Sequence, residues 1–385
     1  IVGLKNYMAT LCRMLEKNMK KCSVIGIGRL GLCWSLNLER KGWNILGVDI
    51  DEKYVKSLND KSFTSKEPLV DNYLKSSNNF KASTDISKAV NHSNILYIVV
   101  PTNTLESGHY DHSIIDNILD SLISLGKQQE EKHIILQSTT IPGYCDGIEK
   151  KLSDCNYTLT YNPEFIRQGS IIEDQQSPDM VLIGTTSTAA TSLLLEAYGD
   201  MCKNKPNYNI MDNISAEITK LSLNCFLTTK ISFTNMIGDL AKSVGANPDK
   251  ILNAIGSDSR IGNKLMKYGF GYGGTCLPRD NRALAVFAKE KNMPIDISIA
   301  TDEINKKHLD FQVSEFKNLN PNMENSITFT QVSFKPGSDI IEESQKLKYA
   351  VKLAKLGYSI TIEDTIDVIS AVKKQNGNLF KYKEI

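Results

Sequence analysis

The sequence predicts an α/β chain. A doubly wound parallel sheet comes first, a central helical segment with one long helix follows, and a shortened α/β lobe ends the chain. Three observations predict this. Short, nearly continuous apolar runs alternate with helical patterns, as strands buried on both faces of a parallel sheet do. From about Asp212, apolar residues recur at helical spacing with no proline until Pro248. After Leu319 a strand, a helix closed by Gly357 and a second strand form a βαβ-like unit.

Composition bounds the reading. At 385 residues the chain holds two or three domains. Hydrophobic residues at 41% and charged residues at 23% are those of a soluble globular protein. A net charge of +1 argues against nucleic acid or an anionic membrane as the main partner. No apolar run is long enough to span a bilayer. The eight cysteines are scattered without metal-type spacing, so no metal is expected. They read as reduced thiols of a cytoplasmic protein.

Residues 1–18 read as an extension of doubtful function ahead of Met19. Residues 19–205 form the first domain, 206–320 the helical segment and 321–385 the last lobe. The first domain opens with the strand Cys22 to Ile25, which runs into Gly26-Ile-Gly28-Arg29-Leu30-Gly31 and then a helical pattern. A second strand, from Asn44, ends in Asp49. The three glycines permit a tight turn, a close approach to a pyrophosphate and helix–strand packing, and Asp49 is placed to bond the adenosine ribose. Strand, glycines, helix, strand and acid in register predict dinucleotide binding. The acid repels a 2′-phosphate, which favours NAD over NADP. Arg29 and Leu30 lie inside the glycine turn.

Further strands are expected at Ile95 to Val100, Ile134 to Leu136, Tyr157 to Thr160 and Met180 to Ile183. Ligands bind beyond the carboxyl ends of such strands. Three motifs sit there: Val100-Pro101-Thr102-Asn-Thr104, Ser138-Thr139-Thr140-Ile-Pro142, and Tyr161-Asn-Pro-Glu164-Phe165-Ile166-Arg167-Gln-Gly169. Glu164 follows a proline, which would hold a carboxylate rigidly.

The long helix is apolar on more than one face, so it is buried on several sides and suits a subunit interface. On it Glu217, Lys220 and Asn224 share one face. Lys220 and Asn224 read either as a surface pair or as two donors aimed at one oxyanion. Asn247-Pro248 restarts a helix, and a loop from Gly256 to Gly262 follows. Then comes Tyr268-Gly-Phe-Gly-Tyr-Gly-Gly-Thr-Cys276-Leu-Pro-Arg-Asp280. Cys276 stands just before a helix whose first turn holds Pro278 and Asp280. A helix N-terminus favours thiolate, which suits a covalent nucleophile. A buried structural cysteine is the competing reading.

Together these residues resemble the UDP-glucose/GDP-mannose dehydrogenase family from about Lys21 to Asp364. The shared motifs are G-x-G-x-x-G with its acid, N-P-E-F-[IL]-R-x-G, A-E-x-x-K-x-x-x-N, D-x-R-I-G, F-G-Y-G-G-x-C-L-P-[KR]-D and F-K-P-x-[ST]-D. The resemblance implies two Rossmann-like lobes bridged by a helical segment whose long helix forms a homodimer. It implies oxidation of the C6 alcohol of a nucleotide sugar to the carboxylate with two NAD⁺. It makes Cys276 the nucleophile, forming a thiohemiacetal and then a thioester. It makes Lys220 and Asn224 oxyanion donors, Asp280 the support of Lys220, and Glu164 a base for hydrolysis. Thr140 takes the place of an active-site threonine, with Thr139 as a rival. Pro101, Thr102 and Thr139 fall on the cofactor side. Phe165, Ile166, Arg167, Lys267, Tyr268, Gly271, Gly273, Gly274 and Lys335 are expected along the sugar-nucleotide pocket, and Arg260 at a neighbouring subunit's site.

Two departures stand out. The last lobe stops soon after Asp364, and the family's T-D-D-x-R-E-S-P appears as Ser338-Asp-Ile-Ile-Glu342-Glu-Ser-Gln345. The glycine loop resembles that of compact bacterial UDP-glucose enzymes, with GDP-mannose and UDP-N-acetylhexosamines as alternative substrates. A simple hydroxyacid-type dehydrogenase and a non-catalytic nucleotide-sugar-binding paralogue are the rival readings.

Overall fold

The chain divides into two structural units. One comprises the chain up to Leu105 together with Tyr110–Lys220; the other comprises Glu106–His109 and Leu221–Ile385. The computed structural model describes residues 19–321, 326–335 and 337–385, and the extension expected at 1–18 lies outside them.

The first unit is built on eight strands of one sheet. In chain order the strands are β1 (Lys21–Ile25), β2 (Asn44–Val48), β3 (Phe80–Ser83), β4 (Ile95–Ile98), the short pair β5 (Asn103–Thr104) and β6 (Tyr110–Asp111), β7 (Lys132–Leu136), β8 (Tyr157–Tyr161), β9 (Met180–Gly184) and β10 (Asn207–Met211). The sheet order is β10-β9-β8-β7-β4-β1-β2-β3, and β5 and β6 form a separate hairpin. Strand β1 is central and buried on both faces. Cys22 and Val24 face one apolar layer, with Trp34 and Leu36 of the helix Arg29–Glu39. Ile25 faces the other, with Ile115 and Leu119 of the helix Ser113–Ser124. Two such layers are what a doubly wound sheet requires.

One junction departs from the parallel expectation. Strands β8 and β9 meet antiparallel, through Tyr161 and Gly184. The bridge joins the last residues of both strands, so β9 runs beyond the carboxyl end of β8, and the segment between them, with its six-residue helix Ile171–Gln176, lies on that side.

The carboxyl ends of the inner strands are laced together. Val99 donates its N–H to Ile25, Gln137 to Ile98, and Asn162 to Leu136. The motifs after β1, β4, β7 and β8 thus emerge side by side. Ser138 adds to this by bonding both backbone groups of Val100, accepting from its N–H at 2.9 Å and donating to its carbonyl at 2.7 Å.

The second unit is helical up to a small sheet. The long helix Asn213–Ser243 enters it, followed by Pro248–Ser257, Leu277–Glu290 and Asp296–Leu319. Asn247 caps the second of these by accepting from Lys250 N–H, with Pro248 in the first turn. The helix after Cys276 starts at Leu277, with Pro278 and Asp280 in its first turn as expected. Three parallel strands close the unit in the order β11 (Ile327–Thr330), β12 (Ile360–Asp364), β13 (Lys381–Glu384). Val313, Leu347, Leu353, Ile360 and Ile362 pack among their core.

Candidate active site

In the first unit the glycine turn has a steric reason for each feature. Gly26 has φ +87°, and a Cβ there would stand 2.5 Å from the Val99 carbonyl oxygen. A Cβ on Gly31 would stand 2.0 Å from the Gly26 carbonyl oxygen. Gly28 is exposed with open space before it, and it caps the helix Arg29–Glu39 without any side-chain bond. A helix N-terminus of this kind favours an anion. Arg29 is exposed and Leu30 half-buried beside it. Asp49 follows β2 at the same edge, half-buried, accepting from the Asp51 N–H at 3.2 Å. Thr102 is buried and donates to the Thr139 carbonyl at 2.8 Å, while Pro101 is exposed and Thr139 half-buried.

Glu164, Phe165 and Lys220 come together. The Lys220 ammonium donates to the Glu164 carbonyl oxygen at 2.6 Å and lies 4.4 Å from the centre of the Phe165 ring. The Glu164 carboxylate accepts from Gln137 Nε2 at 3.1 Å and from the Tyr198 hydroxyl at 3.5 Å. Burial pushes this carboxyl up to about 7, against the opposing pull of the Lys220 charge and the Tyr198 bond. The loop is held from behind by Glu67, whose carboxylate accepts from Gly169 N–H at 2.7 Å. Ile166 is half-buried, and Arg167 is exposed and paired with Asp174 at 2.6 Å.

Thr140 lies in the interior of the first unit. It is fully buried, and its hydroxyl donates to Glu217 at 2.8 Å. Thr139, the rival, is the one of the two with partial exposure.

In the second unit Cys276 is the one exposed cysteine among the described residues. It is the N-cap of the helix Leu277–Glu290. Its sulfur lies 3.4 Å from the Thr275 hydroxyl. Asp280, one turn on, is fully buried and accepts from Asn224 Nδ2 at 2.6 Å and Arg279 Nε at 3.1 Å. The Asn224 amide is thereby oriented. Cys225 is different in kind, since burial pushes its thiol up to about 11.

The glycine loop is shaped by what touches it. A Cβ on Gly271 would stand 2.0 Å from Asn305 Oδ1, and one on Gly273 would stand 2.2 Å from the Glu343 carbonyl oxygen. Gly274 has φ +81° and lies under the Phe334 ring. Arg282 ties the arrangement together, pairing with Asp302 at 3.1 Å and Glu343 at 3.0 Å. Glu342, which stands in place of the family's arginine, is exposed, while its neighbour Glu343 makes the ion pairs.

The other expected residues have surroundings of their own. Arg260 is exposed and paired with Asp258 of its own loop at 2.7 Å. The Tyr268 hydroxyl donates to Asp239 at 2.7 Å and its ring packs over Gly238. Lys267 is exposed and Lys335 half-buried. Sequence reasoning missed Gln137, Tyr198, Glu67, Asn305, Arg282 and Glu343. The exposed arginines were legible by type alone, but their pairing partners were not.

A dinucleotide turn on a doubly wound sheet, with an exposed cysteine at a helix N-terminus, defines an NAD-dependent oxidoreductase. Residues 20–202 match the NAD-binding domain of the UDP-glucose/GDP-mannose dehydrogenase family, and residues 214–307 match its central domain. The UDP-glucose 6-dehydrogenase TuaD of Bacillus subtilis is 30% identical over 363 residues, covering 92% of this chain and 77% of that protein. A UDP-glucose dehydrogenase structure from Pyrobaculum islandicum superposes with a TM-score of 0.86 at 25% identity, covering 96% of this chain and 87% of that one. The GDP-mannose dehydrogenase of Pseudomonas aeruginosa gives a TM-score of 0.59 at 25% identity, covering 93% and 84%. The chain belongs to the UDP-glucose/GDP-mannose dehydrogenase family. Its cofactor is NAD, and the cradle fits: Gly26 and Gly31 let the turn close on the backbone beside it, Gly28 leaves open space before the helix, and Asp49 stands where a ribose is bonded.

Proposed function

We propose that the chain oxidises the C6 alcohol of UDP-glucose to the carboxylate, in two steps through a covalent bond to Cys276. The observation that carries this reading is the exposed Cys276 at a helix N-terminus, with Asp280 one turn on holding the Asn224 amide. Two NAD molecules, bound in turn, would each accept one of the two hydrides that leave C6.

Loss of the first hydride and the hydroxyl proton leaves an aldehyde. The Cys276 sulfur then bonds to C6, and the carbonyl oxygen takes up a proton to complete a thiohemiacetal. Asn224 and Lys220 serve as donors to that oxygen while it carries negative charge, where preorganised donors lower a barrier most. Loss of the second hydride and of the hydroxyl proton gives a thioester. Water attacks it, the C–S bond breaks, and the thiol and the carboxylate are released. Glu164 takes the proton of that water, and a carboxyl pushed up to about 7 is well matched to general-base work near neutral pH. Gln137 and Tyr198 hold it in place. Lys267, Lys335 and the glycine loop from Gly271 to Gly274 serve the sugar nucleotide. Thr139 takes the role expected of Thr140, whose hydroxyl is committed to Glu217.

The protein acts as a homodimer in this reading. Phe226, Phe233 and Leu240 recur every seven residues along the long helix and are all exposed. Such spacing makes one apolar stripe, which a second copy of the helix would cover. No helix among the described residues is long and apolar enough to cross a membrane.

The test is a substrate panel. Steady-state kcat/KM is measured for UDP-glucose, GDP-mannose and UDP-N-acetylhexosamines with NAD. UDP-glucose should lead by at least about tenfold, the range one or two polar contacts supply. Preference for another sugar would overturn the UDP-glucose assignment, and NAD binding without any turnover would favour the non-catalytic reading.

A further inference from the structure

Glu217 stands on the face of the long helix that carries Lys220, three residues before it, about 4.5 Å along the axis at 1.5 Å per residue. It is fully buried, at 0% exposure. Its carboxylate accepts from the Thr140 hydroxyl at 2.8 Å, the Gly143 N–H at 2.6 Å and the Cys145 N–H at 3.0 Å. The helix Tyr144–Asp154 has Gly143 as its N-cap, with φ 90° and no side-chain cap of its own. A residue of the long helix therefore caps it from outside, supplying negative charge where the helix dipole favours it.

Two more contacts fix the same end of the long helix. Asn213 Nδ2 donates to Asp146 Oδ1 at 3.2 Å. Ala216 lies so close to Gly184, at the end of β9, that a Cβ there would stand 2.6 Å from it. Small residue, buried acid and amide together leave the first turns of the helix one height and one roll.

We propose that Glu217 is the positioning residue for Lys220. It anchors the long helix to the sheet one turn before the ammonium that reaches the Glu164 carbonyl. The inference rests on the reading of Lys220 as an oxyanion donor. It also gives Thr140 a place: part of the anchor, donating to the carboxylate that all three neighbours share. Since all three are donors, a glutamine at 217 must aim its NH₂ at one of them. The isosteric amide should therefore fail almost as badly as alanine.

The experiment compares the wild-type protein with Glu217→Gln and Glu217→Ala. Active sites are counted by bound NAD, so unfolded protein does not register. Turnover of UDP-glucose per NAD site should fall on the order of a hundredfold in both variants, as a displacement near 1 Å does. KM should stay within about threefold and NAD affinity should be unchanged. A merely structural cap would lower the melting temperature but leave kcat per NAD site unchanged, and that result overturns the proposal. Full rescue by glutamine overturns it as well. Amide exchange supplies a readout free of turnover. Gly143, Cys145 and the amides from 218 to 222 should exchange faster in both variants. If the wild type turns over no sugar, the functional reading fails while exchange still decides the anchor. Unchanged exchange sinks the anchor whatever the activity.

Discussion

At the scale of single residues the account turns on two groups with opposite surroundings. Cys276 is exposed at a helix N-terminus, where we propose it serves as the nucleophile. Glu164 is desolvated, and its carboxyl rises from the ordinary 4.5 to about 7. Between those values the folded protein binds the proton more tightly than the unfolded chain does, so stability falls as pH rises and the cost is complete above about 7. Glu164→Gln should therefore stabilise the protein by roughly 2 kcal/mol near pH 8 and by much less near pH 5, read from urea midpoints. The same variant should lose most of its thioester hydrolysis, whose rate in the wild type should climb through about pH 7. Equal stability gains at both pH values would contradict the assigned desolvation. Cys276, Lys220, Asn224 and Asp280 were legible because each sits in a compact local pattern. Gln137, Tyr198 and Glu67 were not, because they meet the 164–169 loop from far along the chain. The partner of Thr140 was hidden for the same reason: Glu217 belongs to a different element.

At the scale of elements the glycine loop shows why a run of small residues precedes the cysteine. Three of its glycines are set by neighbours, Asn305 at Gly271, the Glu343 carbonyl at Gly273 and the Phe334 ring at Gly274. Gly274→Ala adds a methyl where φ is +81° and the ring is 2.6 Å away. It should cost about 1–3 kcal/mol and slow the alkylation of Cys276 or make it heterogeneous. A denaturation midpoint and an iodoacetamide time course measure both, and a variant with wild-type values would contradict the loop's assigned constraint. The long helix was legible almost to its ends because its apolar spacing is sustained. Strands β10 and β13 were not. Both carry mixed, largely exposed sequences without an apolar run, so their partners rather than their residues make them strands. The antiparallel step at β8 and β9 also left no local signal, since strand direction is decided by where the connection returns.

At the scale of the whole molecule the sequence announced two α/β lobes around a helical segment. The compact units divide at Lys220, inside the long helix, whereas the expected boundary at 205/206 lies between the two segments that match the family. A helix shared by two units hides a boundary from any reading of composition. The exposed stripe on that helix predicts that Phe226→Asp with Leu240→Glu yields monomers by sedimentation velocity, because two charges cannot be desolvated across an apolar contact. An unchanged sedimentation coefficient at a dimer mass would contradict the stripe's role. The central claim concerns the reaction as a whole: one chain removes two hydrides from one carbon, using one cysteine. The most direct test is the number of NADH formed per UDP-glucose consumed, with Cys276→Ser alongside. The account predicts two NADH in the wild-type protein and no complete oxidation in the variant. One NADH per sugar, with the variant unaffected, would contradict it and leave a simple alcohol dehydrogenase.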